Sequence, residues 1–228
     1  MTARPAKGGG RWVDVAPERL NKWIDGFAGR HGPIDTAYEP DPAPGLLRLV
    51  AADGSLAELT VPFPPFDAAP PYLSRFVAHA QRARTVGVIL ARLGGHAAGV
   101  FRGTELIASK VGSTYVQGRT AAGGWSQQRF ARRRGNQAGK AAESAAGTAA
   151  RVLLPHEGEI EAVILGGERR AVEALSADPR LAGLLAKAAE PFLTVPDPRL
   201  AVLRETPALF RAVRVRVINA GEAVGEGP

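Results

Sequence analysis

Three runs rich in Val, Ile and Leu, TVGVILARL, HAAGVFRG and TELIASKVGSTYV, follow one another almost end to end, punctuated by Gly94-Gly95 and Gly103-Thr104. Apolar runs of this length, broken by turn residues, predict an antiparallel meander of three strands. The pattern then changes. EIEAVILGG reads as a buried strand, ERRAVEALSADPRLAGLL as a helix interrupted at Asp178-Pro179, and PFLTV as a short strand. DPRLAVLRETPALF reads as a helix and RAVRVRVIN as a final alternating strand. A meander followed by strand-helix alternation predicts an α+β fold, a mixed β-sheet flanked by helices.

Ahead of the meander, APERLNKWIDGFAGRHG predicts a short amphipathic helix with Leu20, Trp23, Ile24 and Phe27 on one face, closed by Gly32 and Pro33. GLLRLVAADGSLAELTVPF alternates apolar and polar residues around Asp53-Gly54, a pair that favours a tight hairpin. The prolines of VPFPPFDAAPPY, Val61 to Tyr72, continue neither helix nor sheet. A boundary is therefore expected there, with a small α+β N-terminal module at residues 1–72 and a larger one at 73–228 that opens with a helix from Leu73 to Arg82. The tail AGEAVGEGP is expected to fray.

A chain of 228 residues can bury a real core without staples, and it has no cysteine. Disulfides, zinc knuckles and thiol nucleophiles are thereby excluded, and a reducing cytoplasm is the expected compartment. MTARPAKGGGRW lacks the apolar core of a signal peptide, and no run approaches the ~20 apolar residues of a membrane span. The expectation is a soluble cytoplasmic protein with no membrane partner. The formal charge is +7 and the pI near 10.3, which point to a polyanionic partner. Between Gly118 and Lys140 lie six cations and no acid, which leaves +1 for the rest of the chain.

Most catalytic signatures are missing. The histidines, His31, His79, His96 and His156, have no metal-ligand spacing and are expected on the surface or in loops; no metal site is expected. No G-x-S-x-G occurs. VILGGERRAVEAL resembles half of a nucleotide-binding strand-loop-helix, but without a third glycine or a ribose-binding acid it reads as packing around a tight turn.

The segment GRTAAGGWSQQRFARRRGNQAGK concentrates what remains. It predicts a mobile Gly-rich loop at about 118–128, running into a helix from about Gln127 to Leu153 with Ala138, Ala142, Ala145, Ala149 and Val152 on one stripe. Gly123-Gly124 frees the backbone to approach a ligand, and Ser126 suits an N-cap. Arg129, Arg132 and Arg133 share a helical face and can meet successive phosphates. Trp125 can stack on a base, and Gln127 or Gln128 offers an amide that both donates and accepts hydrogen bonds. A solvated basic loop making plain electrostatic contact with RNA accounts for the same residues.

GGWSQQRFARRRGNQAGKAAESAAGTAARVLL resembles the Gly-Gly-Gln loop and following helix of archaeal and eukaryotic class-1 peptide release factors, where Gly-Gly-Gln-Ser precedes Arg-Phe-Ala-Arg-x-Arg and a long helix. The matching segment is RFARRR, Arg129 to Arg134. AVILGGERRAVEAL followed by DPRL is similar to that domain's strand, glycine turn and helix, and the resemblance covers about Thr85 to Asn219. Trp125 stands where that family has its glutamine. The chain resembles more closely the release-factor-like branch of ribosome-associated quality control, with bacterial relatives, whose Gly-x-x-Gln pattern maps onto Gly124, Trp125, Ser126 and Gln127.

The resemblance implies a stop-codon-independent peptidyl-tRNA hydrolase that works at the large ribosomal subunit, with rRNA and peptidyl-tRNA as partners. It implies Gln127 as the residue that positions water, Gln128 as its rival, and Gly123 and Gly124 as the flexible approach. Arg119, Arg129, Arg132, Arg133, Arg134 and Lys140 would hold RNA backbone, with Trp125 among the RNA contacts. No cofactor is required, and a monomer is expected. A non-catalytic RNA- or ribosome-binding module is the alternative; a nuclease on a similar sheet lacks an acidic metal cluster.

Overall fold

The computed structural model describes residues 4–6, 8–39, 45–113 and 127–222, with the side chains of 38–39 and 127–136 outside that description. The chain forms two compact units, one of residues 1–82 with 211–228 and the other of residues 83–210.

The first unit holds β1 (Arg4–Pro5), β2 (Arg11–Val15), α1 (Leu20–His31), β3 (Ile34–Glu39), β4 (Leu46–Ala51), β5 (Leu56–Thr60) and α2 (Tyr72–Gln81). The second holds β6 (Thr85–Arg92), β7 (Gly95–Arg102), β8 (Glu105–Ser113), α3 (Gln127–Leu153), β9 (Ala162–Gly167), α4 (Arg169–Glu173), α5 (Ala182–Leu185), β10 (Ala188–Leu193) and α6 (Leu200–Phe210). β11 (Val213–Ile218) returns to the first unit.

The first sheet is antiparallel, in the order β1-β2-β11-β5-β4-β3. The expected hairpin is present: Ala51 donates to the Ser55 carbonyl at 2.9 Å across a turn in which Gly54 has φ +86°. Alternation sorts the two faces. Leu47, Leu49, Ala57, Leu59, Val213 and Val215 are buried with Leu20, Ile24 and Phe27 of α1 and Phe76 and Ala80 of α2. The other face carries Glu58 between Arg48 and Arg216, at 3.1 and 3.4 Å.

Two expectations are corrected here. The helix after the proline cluster does not open the larger module, because Phe76, Val77 and Ala80 belong to the first core. The boundary therefore falls after residue 82 instead of 72. The final strand likewise leaves the larger module and inserts between β2 and β5, where Val213 opposes Val15 and Val215 opposes Leu59.

The second sheet has the order β10-β9-β6-β7-β8. β9 runs parallel to β10 and β6, whereas β6-β7-β8 is the antiparallel meander, so the sheet is mixed. β6 and β7 are buried along nearly their whole length because helices cover both faces. α3, α4 and α5 lie on one face, where Ala149, Leu153, Leu175, Leu181 and Leu184 pack with Ile89, Val100 and Val163. α6 lies on the other, with Phe210 edge-on to Phe101 at 6.1 Å between centroids. The predicted interrupted helix is α4, two 3-10 turns flanking Asp178, and α5.

Candidate functional site at the head of the long helix

α3 is the longest element, 27 residues, and at 1.5 Å per residue it extends about 40 Å. Its C-terminal third is anchored. Ala145, Ala146, Ala149, Ala150, Val152 and Leu153 are buried against the sheet, and at Gly87 a Cβ would meet Leu153 at 2.8 Å. Small side chains at these positions let the helix axis lie close to the strands.

The predicted stripe continued further. Ala138 is exposed and Ala142 only half-buried. Among the side chains described, full burial on this stripe begins at Ala145. The residues from 127 to 144 form a helical arm, about 27 Å long at the same rise. It begins at Gln127 and carries RFARRR in its first turns.

His96 marks the place where the arm departs. It is the second residue of β7, opposite Gly112, the penultimate residue of β8. Its ring is 4% exposed, and its Nε2 shares a hydrogen bond with Thr148 Oγ1 of α3 at 3.1 Å. A Cβ on Gly112 would overlap the imidazole. The ring thus occupies a space that exists only because residue 112 is glycine, one residue before β8 ends. Burial pushes the His96 imidazole below the ordinary histidine value. The strand that enters the 114–126 segment and the helix that leaves it are therefore joined through one side chain.

The histidine expectation needs correction at His96, which is buried within a strand. His79, on α2 with Nε2 near the carbonyls of Pro62 and Phe63, His31, at the end of α1 with Nδ1 2.8 Å from Asp53, and His156 are partly exposed. Among the described residues, no group of three or more His, Cys, Asp or Glu is placed to hold a metal. No described helix is long and apolar enough to cross a membrane.

Of the expected site residues, Arg119, Gly123, Gly124 and Trp125 lie outside the described residues, as does the expected N-cap Ser126. Gln127, Gln128, Arg129, Arg132, Arg133 and Arg134 are placed by backbone on the first two turns of α3. Arg129, Arg132 and Arg133 share a helical face there, at spacings of three and four. Lys140 is exposed on the same arm. No acidic residue stands on the arm before Glu143.

None of the curated proteins matches the chain. Solved structures similar to it include the archaeal translation termination factor aRF1, at 16% identity and TM-score 0.38, over 75% of this chain and 50% of that one. Another is an archaeal protein at 18% identity and TM-score 0.36, over 72% and 47%. Pelota of Archaeoglobus fulgidus is similar at 10% identity and TM-score 0.31, over 92% and 66%. The chain spans about half the length of the first two. The sequence model of the Actinobacteria/chloroflexi VLRF1 release factor family matches residues 84–216, more than half of the chain and nearly all of the second unit. With more than half of its length matched, the chain belongs to the Actinobacteria/chloroflexi VLRF1 release factor family.

Proposed function

We propose that the protein is a peptidyl-tRNA hydrolase that frees nascent chains on the large ribosomal subunit independently of a stop codon, with Gln127 as the residue that positions the attacking water. The observation that carries this reading is the start of α3 at Gln127, about five turns ahead of the buried stripe that begins at Ala145. An amide at the tip of a helix can be presented to a substrate that the body of the fold cannot reach.

The chemistry asks little of the side chain. Water oxygen attacks the ester carbonyl, the bond to the tRNA 3′ oxygen breaks, and that oxygen takes up one of the water's protons while the other passes to solvent, leaving a peptide carboxylate and a free tRNA hydroxyl. Gln127 neither gains nor loses a proton near neutral pH, so its contribution is orientation and hydrogen bonding to the developing oxyanion. Positioning of this kind can lower a barrier by roughly 7 to 11 kcal/mol. Gly123 and Gly124 admit the chain to a narrow approach, and Trp125 stacks on a base. Arg119, Arg129, Arg132, Arg133, Arg134 and Lys140 neutralise RNA phosphates, so binding weakens as salt rises.

The test is release of labelled peptide from peptidyl-tRNA held on purified large subunits. Gln127→Ala should slow release by about 10²-fold or more while subunit binding persists. An inactive Gln128→Ala beside a fully active Gln127→Ala would move the role one residue along. Unchanged release in the double variant would remove the glutamine mechanism, and salt-dependent RNA binding by a wild-type protein that releases nothing would leave a binding module.

A further inference from the structure

The second unit carries cations in a place the loop and arm do not account for. β6, β9 and β10 are parallel, so Arg92, Gly167 and Leu193 end at one edge of the sheet. β7 begins and β8 ends at the same edge, since Gly95 opposes Ser113. It is the edge near which the α3 arm departs. The connections emerging there carry Arg169 and Arg170 after β9, and Arg199 after β10.

These three arginines are exposed, and the fold holds the segments that bear them. Gly167 turns the chain at φ +104°, and Glu168 donates its N–H to the Ala91 carbonyl at 2.8 Å, which fixes the start of α4. The Arg169 guanidinium lies over the Phe192 ring, 4.5 Å from its centroid, leaving its edge to solvent. Arg92 donates to the Val195 carbonyl at 2.9 Å and lies 3.6 Å from Asp197, which ties down the segment leading to Arg199. Asp197 is thereby engaged, and Glu168 is a second carboxylate of this edge. Neither Arg170 nor Arg199 has an ion-pair partner among the described residues. At the opposite edge Glu105, Glu157, Glu159 and Glu161 stand with Arg84, Arg102 and Lys187, and Glu159 pairs with Arg102 at 2.9 Å. Apart from the loop and arm the charges of the unit balance, but at the edge that sends out the arm Arg92, Arg169, Arg170 and Arg199 outnumber Glu168 and Asp197.

The geometry points to Arg169, Arg170 and Arg199 as a second RNA-binding ledge, which takes the phosphodiester backbone of tRNA or rRNA while the arm carries Gln127 to the ester. Guanidinium forks suit phosphate oxygens in pairs, and a guanidinium already stacked on an aromatic ring loses little freedom when it binds. α4 is too short to act through its N-terminus, so the contacts are those of side chains. The inference rests on the release reading for its role in catalysis, but the RNA contact itself can be tested separately.

Full-length protein is compared with Arg169→Gln/Arg170→Gln/Arg199→Gln and with a charge-matched control, Arg19→Gln/Lys22→Gln/Arg151→Gln, for release on peptidyl-tRNA-loaded large subunits and for deacylated tRNA binding across a salt series. The ledge variant should raise KM and Kd about tenfold or more with kcat kept. It should also flatten the slope of log Kd against log salt by about two, since each phosphate that is no longer neutralised lowers the slope by ~0.7–0.9. Arg170→Gln/Arg199→Gln, which leaves the Arg169–Phe192 stack intact, should show most of the effect with an unchanged Tm. An equal loss in the control, or an unchanged slope in both ledge variants, overturns the ledge. If wild-type protein releases peptide and the ledge variants match it, the ledge falls and the release reading stands. If wild-type protein releases nothing while the ledge variants bind tRNA more weakly and with a flatter slope, the ledge stands and the release reading falls.

Discussion

His96 ties the end of β8 to the buried part of α3. Its ring fills the gap over Gly112 and meets Thr148 at 3.1 Å, so a change there moves both the end of β8 and the root of the arm. The sign of its pH dependence follows from burial, which disfavours the charged ring and lowers its pKa in the folded state. The unfolded chain then takes up a proton first as pH falls through about 6.5, the ordinary histidine value. Stability is present above that pH and is lost as pH drops toward the depressed folded value. The wild-type Tm should therefore fall over this window more steeply than that of His96→Gln, and parallel curves for the two proteins would refute the assignment. Thr148→Val, which leaves the imidazole without its partner, should cost about 1–3 kcal/mol in urea unfolding. HAAGVFRG gives no sign that its histidine points inward, because the space it fills is made by Gly112, on a different strand. The arginines of RFARRR were legible for the opposite reason: their meaning lies in local spacing along one helix.

At the scale of elements, the turn from β9 into α4 is tightly determined. Gly167 combines φ +104° with a backbone approach so close that a Cβ would overlap the Ala91 carbonyl oxygen. Gly167→Ala thus adds backbone strain to a steric conflict with a central strand, and a loss of about 3 kcal/mol or more is expected. The measurement is the urea midpoint, with hydrogen exchange to show loss of protection centred on β6 and β9. The neighbouring Gly94, whose Cβ would meet nothing, should accept alanine with far less effect. VILGG announced a strand and a tight turn, and both are present; what it could not announce is which strand the turn leans on. The meander was legible because its turn residues sit between adjacent runs. The extent of the α3 stripe was not, since alanines at helical spacing look the same on a sheet and beyond its edge. Ala149 and Ala138 differ only in whether a strand lies beneath them.

The molecule as a whole turns on β11, which crosses back after α6 to become an inner strand of the first sheet. Its alternation of Val213, Val215 and Val217 with Arg214 and Arg216 describes a strand with one face in the core and the other toward solvent, where Arg214 lies 4.9 Å from the Trp12 ring centroid. β6 and β7, sandwiched between helices, show nearly continuous apolar burial instead. That contrast was present in the residues, but alternation does not name a partner strand, and proximity along the chain favoured the wrong sheet. The consequence is testable because the two cores share no residue. Val215 is fully buried, on a strand paired on either side with β2 and β5. Val215→Asp places a carboxylate without a partner among Leu49, Ala57 and Leu59, a change on the order of 3–5 kcal/mol or more. Hydrogen exchange should then lose protection in residues 8–39, 45–82 and 211–218 while β6, β7 and β9 keep theirs. A uniform loss across both units would show instead that they unfold as one cooperative body, and loss confined to the second unit would contradict the placement of β11.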